Sequence, residues 1–157
     1  MPTRNKSIDI VKKIQSEYPE YTFVSSNNYA WNPNTKSIYY QETFTSLIEH
    51  LHSLLHELSH ALLDHTSFSS DIKLIKMERD AWGLTKKLLV KYNQDINQDH
   101  IETCLDSYRD WIYARSKCPQ CSHVGVETSS NIYGCIFCPI RWKVPESRLC
   151  AVKRVKT

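Results

Sequence analysis

Between Phe44 and Leu62, apolar residues return every three or four positions: Phe44, Leu47, Ile48, Leu51, Leu54, Leu55, Leu58, Ala61 and Leu62. This spacing matches the turn of an α-helix and predicts one continuous apolar stripe on a helix from about Glu42 to Asp64, which must bury that stripe in a core. Embedded in it is the run His56-Glu57-Leu58-Ser59-His60. At about 100° per residue the two histidines share one face, roughly opposite the centre of the stripe, with Glu57 beside them. The motif is therefore expected to face a cleft or solvent, alongside Glu49, Ser53 and Asp64.

Two imidazoles four residues apart can reach one metal ion, and the intervening glutamate stands to the side where a water held by that ion would sit. Zinc lowers the pKa of such a water to about 7, and a neighbouring carboxylate can take its proton and pass it to a leaving amine. The residue types fit peptide hydrolysis. A solvated helix face can also carry two histidines, so the third ligand decides between the readings. His65, Asp71, Glu78 and Asp80 are within reach in sequence. His65 is rotated by roughly 140° from His60 and falls on the apolar stripe, as a helix-end or core-edge residue.

The next helix is expected over residues 72–90, with Ser69, Ser70 or Asp71 as its N-cap. Asp80 belongs to its charged side, with Lys73, Lys76, Arg79, Lys86 and Lys87. Glu78 lies instead on the apolar side, between Ile75, Ala81 and Trp82. An unpaired carboxylate buried there costs several kcal/mol or neutralises itself, so it needs a cation, either a basic side chain or a metal. His56, His60 and Glu78 are the expected ligands of a catalytic zinc, with water in the fourth position and Glu57 as general base.

A second metal signal lies at Cys118-Pro-Gln-Cys121 and Cys135-Ile-Phe-Cys138, two CxxC knuckles separated by thirteen residues. This spacing predicts a tetrahedral four-cysteine structural zinc site, a zinc ribbon, and not disulfides, since nothing in the chain points to an oxidising compartment. The segment is too short to fold on an apolar core, and zinc supplies on the order of 10–16 kcal/mol in comparable finger peptides. Tyr133, Phe137, Ile140 and Trp142 are expected to cover it, with stacking on a partner as the alternative. Cys104 falls on the apolar stripe of a third helix with Ile101, Leu105, Tyr108, Trp111 and Ile112, and Cys150 lies in the tail.

The run HELSHALLDH, followed by Glu78-Arg79-Asp80-Ala81 and then Leu84, Thr85, Leu88 and Leu89, resembles the ImmA/IrrE group of zinc metallopeptidases, whose pattern is a HExxH helix followed by an ExxA helix. The resemblance covers residues 5–114. It implies zinc on His56, His60 and Glu78, with Glu57 as general base, in an intracellular site-specific protease whose usual target is a helix-turn-helix repressor of a mobile element or stress response. Unlike relatives that continue into sensory domains, this chain turns to a cysteine-rich module. A SprT-like protease, which also couples HExxH to a zinc ribbon and acts on DNA-bound proteins, is the alternative. That type uses a third histidine in a Gly-rich setting, and this chain has only three glycines.

The 157 residues, 41% hydrophobic and 24% charged, suffice for one modest core and a metal-stapled appendix. No apolar run is long enough for a membrane span, and Met1 to Lys6 lack a signal-peptide stretch, so a cytoplasmic protein without membrane contact is expected. Residues 1–114 carry 12 Lys/Arg against 15 Asp/Glu, whereas residues 115–157 carry 8 against 2. A zinc ion on four thiolates contributes −2, which leaves the ribbon and tail near +4. That polarity suits weak contact of the ribbon and tail with nucleic acid or an acidic protein surface, with solubility charge as the plain alternative.

Upstream, Ile8, Ile10, Val11, Ile14 and Tyr18 predict an amphipathic helix starting near Asn5 or Ser7, Tyr21 to Ser25 a strand, and residues 29–31 and 37–40 a hairpin around Asn32-Pro33-Asn34-Thr35. A protein substrate is expected to add as a strand along Ser37 to Tyr40. The oxyanion partner is open among Tyr39, Tyr40, His52, Tyr108 and others.

The expected architecture is α+β: a zincin-like metallopeptidase domain of helices and a small antiparallel sheet at 1–114, a four-cysteine zinc ribbon at 115–145 and a basic tail at 146–157. The expected activity is that of a zinc metalloendopeptidase with two zinc ions per chain, one catalytic and one structural. A non-catalytic module that binds nucleic acid or protein through the ribbon is the reading from outside enzymology.

Overall fold

The computed structural model describes residues 3–148 and 150–157, with side chains from residue 9 onward. Met1, Pro2 and the side chain of Ile8 lie outside the described residues. The described chain is α+β: α1 (Thr3–Glu17), β1 (Thr22–Ser25), β2 (Ala30–Asn32), β3 (Ser37–Tyr40), α2 (Leu47–Leu62), α3 (Asp71–Lys91), α4 (Gln98–Ser116), β4 (Gly125–Ser129), β5 (Ile132–Cys135), β6 (Arg141–Lys143) and β7 (Val155–Lys156). The first helix starts before the expected Asn5 or Ser7. None of the described helices is long and apolar enough to cross a membrane.

The chain forms two compact units, one through Thr66 with Arg79–His100, the other of Ser67–Glu78 with Ile101–Thr157. The dividing line falls between Glu78 and Arg79, in the middle of the continuous helix α3. In the first unit the sheet order is β1-β3-β2, with β1 parallel and β2 antiparallel to β3. This mixed sheet replaces the expected antiparallel one. It also removes the expected substrate edge, because β3 is the central strand and both its flanks are paired. The β2–β3 turn is held by Asn32, whose Oδ1 accepts from the Asn34 N–H at 3.0 Å, and is completed by Lys36 at φ 49°.

Helix α2 packs on β2 and β3. Leu51, Leu54, Leu55, Leu58 and Ala61 enter a core with Ile14, Ile38, Leu88, Leu89 and Tyr92, where each buried leucine is worth roughly 1.5–3 kcal/mol. The helix starts at Leu47, later than expected, because Ser46 caps it by accepting from the Glu49 N–H. Phe44 precedes the helix and stacks on the His50 ring at 4.0 Å. Ser70 caps α3 by accepting from the Lys73 N–H.

The second unit holds an antiparallel sheet of order β4-β5-β6-β7. Tyr133, Trp142, Val144 and Cys118 form its core, with Ile140 packed against them. The Trp142 Nε1–H donates to the Arg115 carbonyl at 2.9 Å. Arg115, 1% exposed, donates to Asn131 Oδ1 at 2.7 Å and to the Pro145 carbonyl, lies over the Trp111 ring, and has Asp71 Oδ1 at 3.4 Å. The Asp71 N–H in turn donates to Glu127 Oε2 at 2.8 Å. Through this buried guanidinium the end of α4 is joined to the β4–β5 turn and to the segment after β6. Gly125 is required here, since a Cβ would run into Trp142 Cη2 and the Gly134 carbonyl.

Burial pushes His50 down to about 4 from its ordinary value, while its Nδ1 lies 2.6 Å from the Tyr29 hydroxyl. The unfolded chain binds this proton at a higher pH than the folded one, so His50 contributes stability above pH about 6.5 that is lost as pH falls toward about 4. Urea unfolding is expected to show wild type losing on the order of 2–3 kcal/mol more than His50→Gln across that window. Equal slopes for the two proteins would contradict this account of His50.

Candidate metal centres

His56 and His60 stand one turn apart on α2, their Nε2 atoms 3.1 Å apart and their rings nearly perpendicular at 85°. Two nitrogens bonded to one zinc at about 2.05 Å and a tetrahedral angle would lie about 3.3–3.4 Å apart. The observed spacing is close to that. Glu78 on α3 supplies a carboxylate oxygen, and the three donor atoms lie within 4.8 Å of one another. Two imidazoles and a carboxylate form a donor set that suits a borderline-soft divalent ion such as zinc. Of the four sequence candidates for a third ligand, Glu78 alone joins the two histidines; Asp80 is exposed and paired with Arg79, and Asp71 lies by Arg115.

Local packing brings these groups together. Trp82, one turn after Glu78, stacks on the His56 ring at 4.0 Å and 21°. One further turn along, the Thr85 hydroxyl lies 3.0 Å from that of Ser59 on α2, both completely buried. Each hydroxyl also lies within hydrogen-bond distance of the carbonyl four residues back, Leu55 for Ser59 and Ala81 for Thr85. An aromatic stack and a hydroxyl clasp thus set the register of α3 on α2. The expectation that the histidine face is open is corrected here. His56 and His60 are only 7% and 8% exposed and Glu78 4%, because α3 supplies an aromatic lid for a face that the helical wheel alone leaves bare. Glu57 is half-buried.

Helix α2 ends in a Schellman motif: the Asp64 N–H donates to the Ala61 carbonyl, the His65 N–H donates to the His60 carbonyl, and Asp64 takes the left-handed φ of 51°. The reversal turns the His65 ring back onto His60, with the two Nδ1 atoms 2.8 Å apart. His65 therefore contacts the far nitrogen of a candidate ligand, whereas a continuous helix would have sent it to the apolar stripe.

His52 cannot serve as an oxyanion donor. Its Nε2 accepts from the Asn97 N–H at 3.0 Å, which leaves the proton on Nδ1, donated to the Ile48 carbonyl at 2.7 Å. Burial lowers its proton affinity. Tyr40 accepts a long 3.4 Å bond from Gln15, Tyr39 is half-buried on β3, and Tyr108 lies under the Arg148 guanidinium at 3.5 Å. His100, which the sequence does not single out, stands edge-on to both His52 and Trp82. It comes from a segment some forty residues downstream of the motif and carries no periodic signal.

In the second unit Cys118, Cys121, Cys135 and Cys138 converge. Their sulfurs lie 3.5 Å (Cys121–Cys135), 3.6 Å (Cys121–Cys138) and 3.7 Å (Cys118–Cys138) apart. Four sulfurs at about 2.3 Å from one tetrahedral ion would be about 3.8 Å apart, and a disulfide would bring two to about 2.05 Å. All are free thiols and the set fits a closed metal site. The Cys138 N–H, followed by that of Phe137, donates to Cys135 Sγ and holds its thiol down to about 6, which favours the ligating thiolate. Ser122 at φ 63° makes the first knuckle turn. Tyr133 and Trp142 are buried as expected, but Phe137 is 72% exposed and stacks on His123 at 4.3 Å. Cys104 and Cys150 stand apart from the set.

Comparison of the chain with protein-family models, curated proteins and solved structures gives no match.

Elemental analysis of metal-replete protein is expected to give two zinc ions per chain, falling to one in both His56→Ala and Glu78→Ala. One ion in all three proteins would leave only the cysteine site.

Proposed function

We propose that this chain is a zinc-dependent endopeptidase of the ImmA/IrrE type, with a zincin-like catalytic region and a structural zinc ribbon. It would act in the cytoplasm on a regulatory protein such as a helix-turn-helix repressor. The observation that carries the reading is the convergence of His56, His60 and the Glu78 carboxylate of α3, donor atoms within 4.8 Å of one another, with Glu57 next to His56 on α2. Glu78 as third donor also favours this type over a SprT-like protease, which would need a histidine in that place.

A zinc ion in this donor set supplies Lewis acidity, polarising a peptide carbonyl and making water nucleophilic near neutral pH. His56 and His60 would hold it through Nε2, and the Glu78 carboxylate would offset part of its charge. Glu57, next to His56 on the same helix, would take the proton of the attacking water and deliver it to the departing amide nitrogen. The thiolate set of the ribbon is closed and has no part in this chemistry. The module around it serves recognition: Phe137 is turned outward, and residues 115–157 carry 8 Lys/Arg against 2 Asp/Glu. Such a surface suits a nucleic acid or the acidic face of a DNA-binding substrate.

One observation favours a second reading. The near-complete burial of His56 and His60 is what a structural metal site would show, and the chain would then be a binding module built on two structural ions.

Wild-type protein added to a cell extract is expected to generate new protein N-termini, detectable by N-terminal labelling. Glu57→Gln should reduce them by roughly 10²–10⁴-fold while retaining the metal content of wild type. Identical N-termini from the two proteins would favour the binding module.

A further inference from the structure

We propose that His65 is a positioning residue for the histidine–glutamate centre, accepting a hydrogen bond from His60 Nδ1–H and so fixing the ring orientation and tautomer in which His60 presents Nε2 to the metal. The inference rests on the metal reading of that centre given above.

Two imidazole nitrogens 2.8 Å apart need one N–H and one lone pair between them. The other nitrogen of His60, Nε2, lies 3.1 Å from His56 Nε2 inside the donor group, and a ligating nitrogen must offer its lone pair. The proton of His60 is therefore on Nδ1, His65 Nδ1 is the acceptor, and the His65 proton is on Nε2. A partner on the far nitrogen of a ligating histidine holds the ring in the plane the metal requires.

His65 is itself held. The Schellman turn with Asp64 at φ 51° aims it back along α2, and Trp31 on β2 donates its Nε1–H to the His65 carbonyl at 2.8 Å. Tyr21 meets the Trp31 ring edge-on at 5.5 Å, and its hydroxyl donates to the Ala61 carbonyl at 3.3 Å. The sheet side of the first unit is thereby tied to the turn that carries the acceptor. His65 also borders a cavity of about 140 Å³, lined in addition by Glu20, Lys36 and Asp64. A void of that size admits water, which could replace the acceptor in an alanine variant. Leucine, which keeps the space filled, is the better deletion.

The test is zinc affinity measured by chelator competition on the full chain, with the four-cysteine site as internal reference. His65→Leu should weaken the histidine–glutamate site 10–100-fold and leave the cysteine site unchanged. Asparagine places its Oδ1 about where Nδ1 stands, so His65→Asn should stay within about threefold of wild type. Glutamine carries its oxygen one bond further out, and His65→Gln should behave as the leucine variant does. The cobalt-substituted site should show altered d–d bands in the leucine and glutamine variants and wild-type bands in the asparagine variant. If the leucine variant does not fold, the asparagine–glutamine pair decides by the same readout. Wild-type affinity in His65→Leu, or equal weakening in His65→Asn and His65→Gln, would overturn the proposal. A wild-type chain that binds only one zinc would instead overturn the metal reading itself.

Discussion

Helix α2 carries four histidines at positions where water is almost excluded, and groups from elsewhere in the first unit meet several of their ring nitrogens. An unpaired ring nitrogen in such a place costs about 1–3 kcal/mol. His52 is answered on both nitrogens by the Ile48 carbonyl and the Asn97 N–H, His50 by the Tyr29 hydroxyl on Nδ1 while its buried Nε2 has no hydrogen-bond partner among the described residues, and His60 by His65 on Nδ1. What distinguishes His56 and His60 is that their Nε2 atoms face each other with a buried carboxylate alongside. Two imidazole nitrogens and a carboxylate gathered away from solvent form a donor set that could hold a divalent cation. The stack of Trp82 on His56 and the hydroxyl clasp of Ser59 with Thr85 hold α3 where this can happen.

The second unit follows the same logic with softer donors. Four sulfurs, with separations of 3.5–3.7 Å, form a set that could close around one ion. The small core of Tyr133, Trp142 and Val144 does the rest, anchored by the Trp142 bond to the Arg115 carbonyl. Arg115 is costly to bury. Its guanidinium is repaid by Asn131, the Pro145 carbonyl, the Trp111 ring and Asp71, and these partners decide that α4 sides with the ribbon.

Much of this was legible in the residue pattern, and the misses have physical reasons. The α+β class, the three later helices, the four-cysteine cluster and the meeting of His56 and His60 with Glu78 all follow from spacing, because local periodicity and the cost of burying Glu78 act over short ranges. The lid of Trp82 could not be read off, since a helical wheel shows which face is polar and not what packs on it. His65 was misplaced because its direction is set by a left-handed Asp64 in a turn where glycine is usual. The centre of the sheet was mistaken for its edge, as β1 adds in parallel across a hairpin and no local signal announces that pairing. Arg115 carries no signal in the residue pattern, for three of its partners, Asp71, Asn131 and Pro145, come from distant parts of the chain.

His56 and His60 of α2 and Glu78 of α3 form a donor set separate from the four cysteines, and whether it holds an ion of its own is measurable. Anomalous diffraction across the zinc edge, from crystals grown with zinc, addresses it directly. Two peaks are expected, one among the four cysteine sulfurs and one about 2 Å from His56 Nε2, His60 Nε2 and a Glu78 carboxylate oxygen. A single peak at the cysteines, with His56 and His60 still buried beside Glu78, would contradict the metal reading of that set.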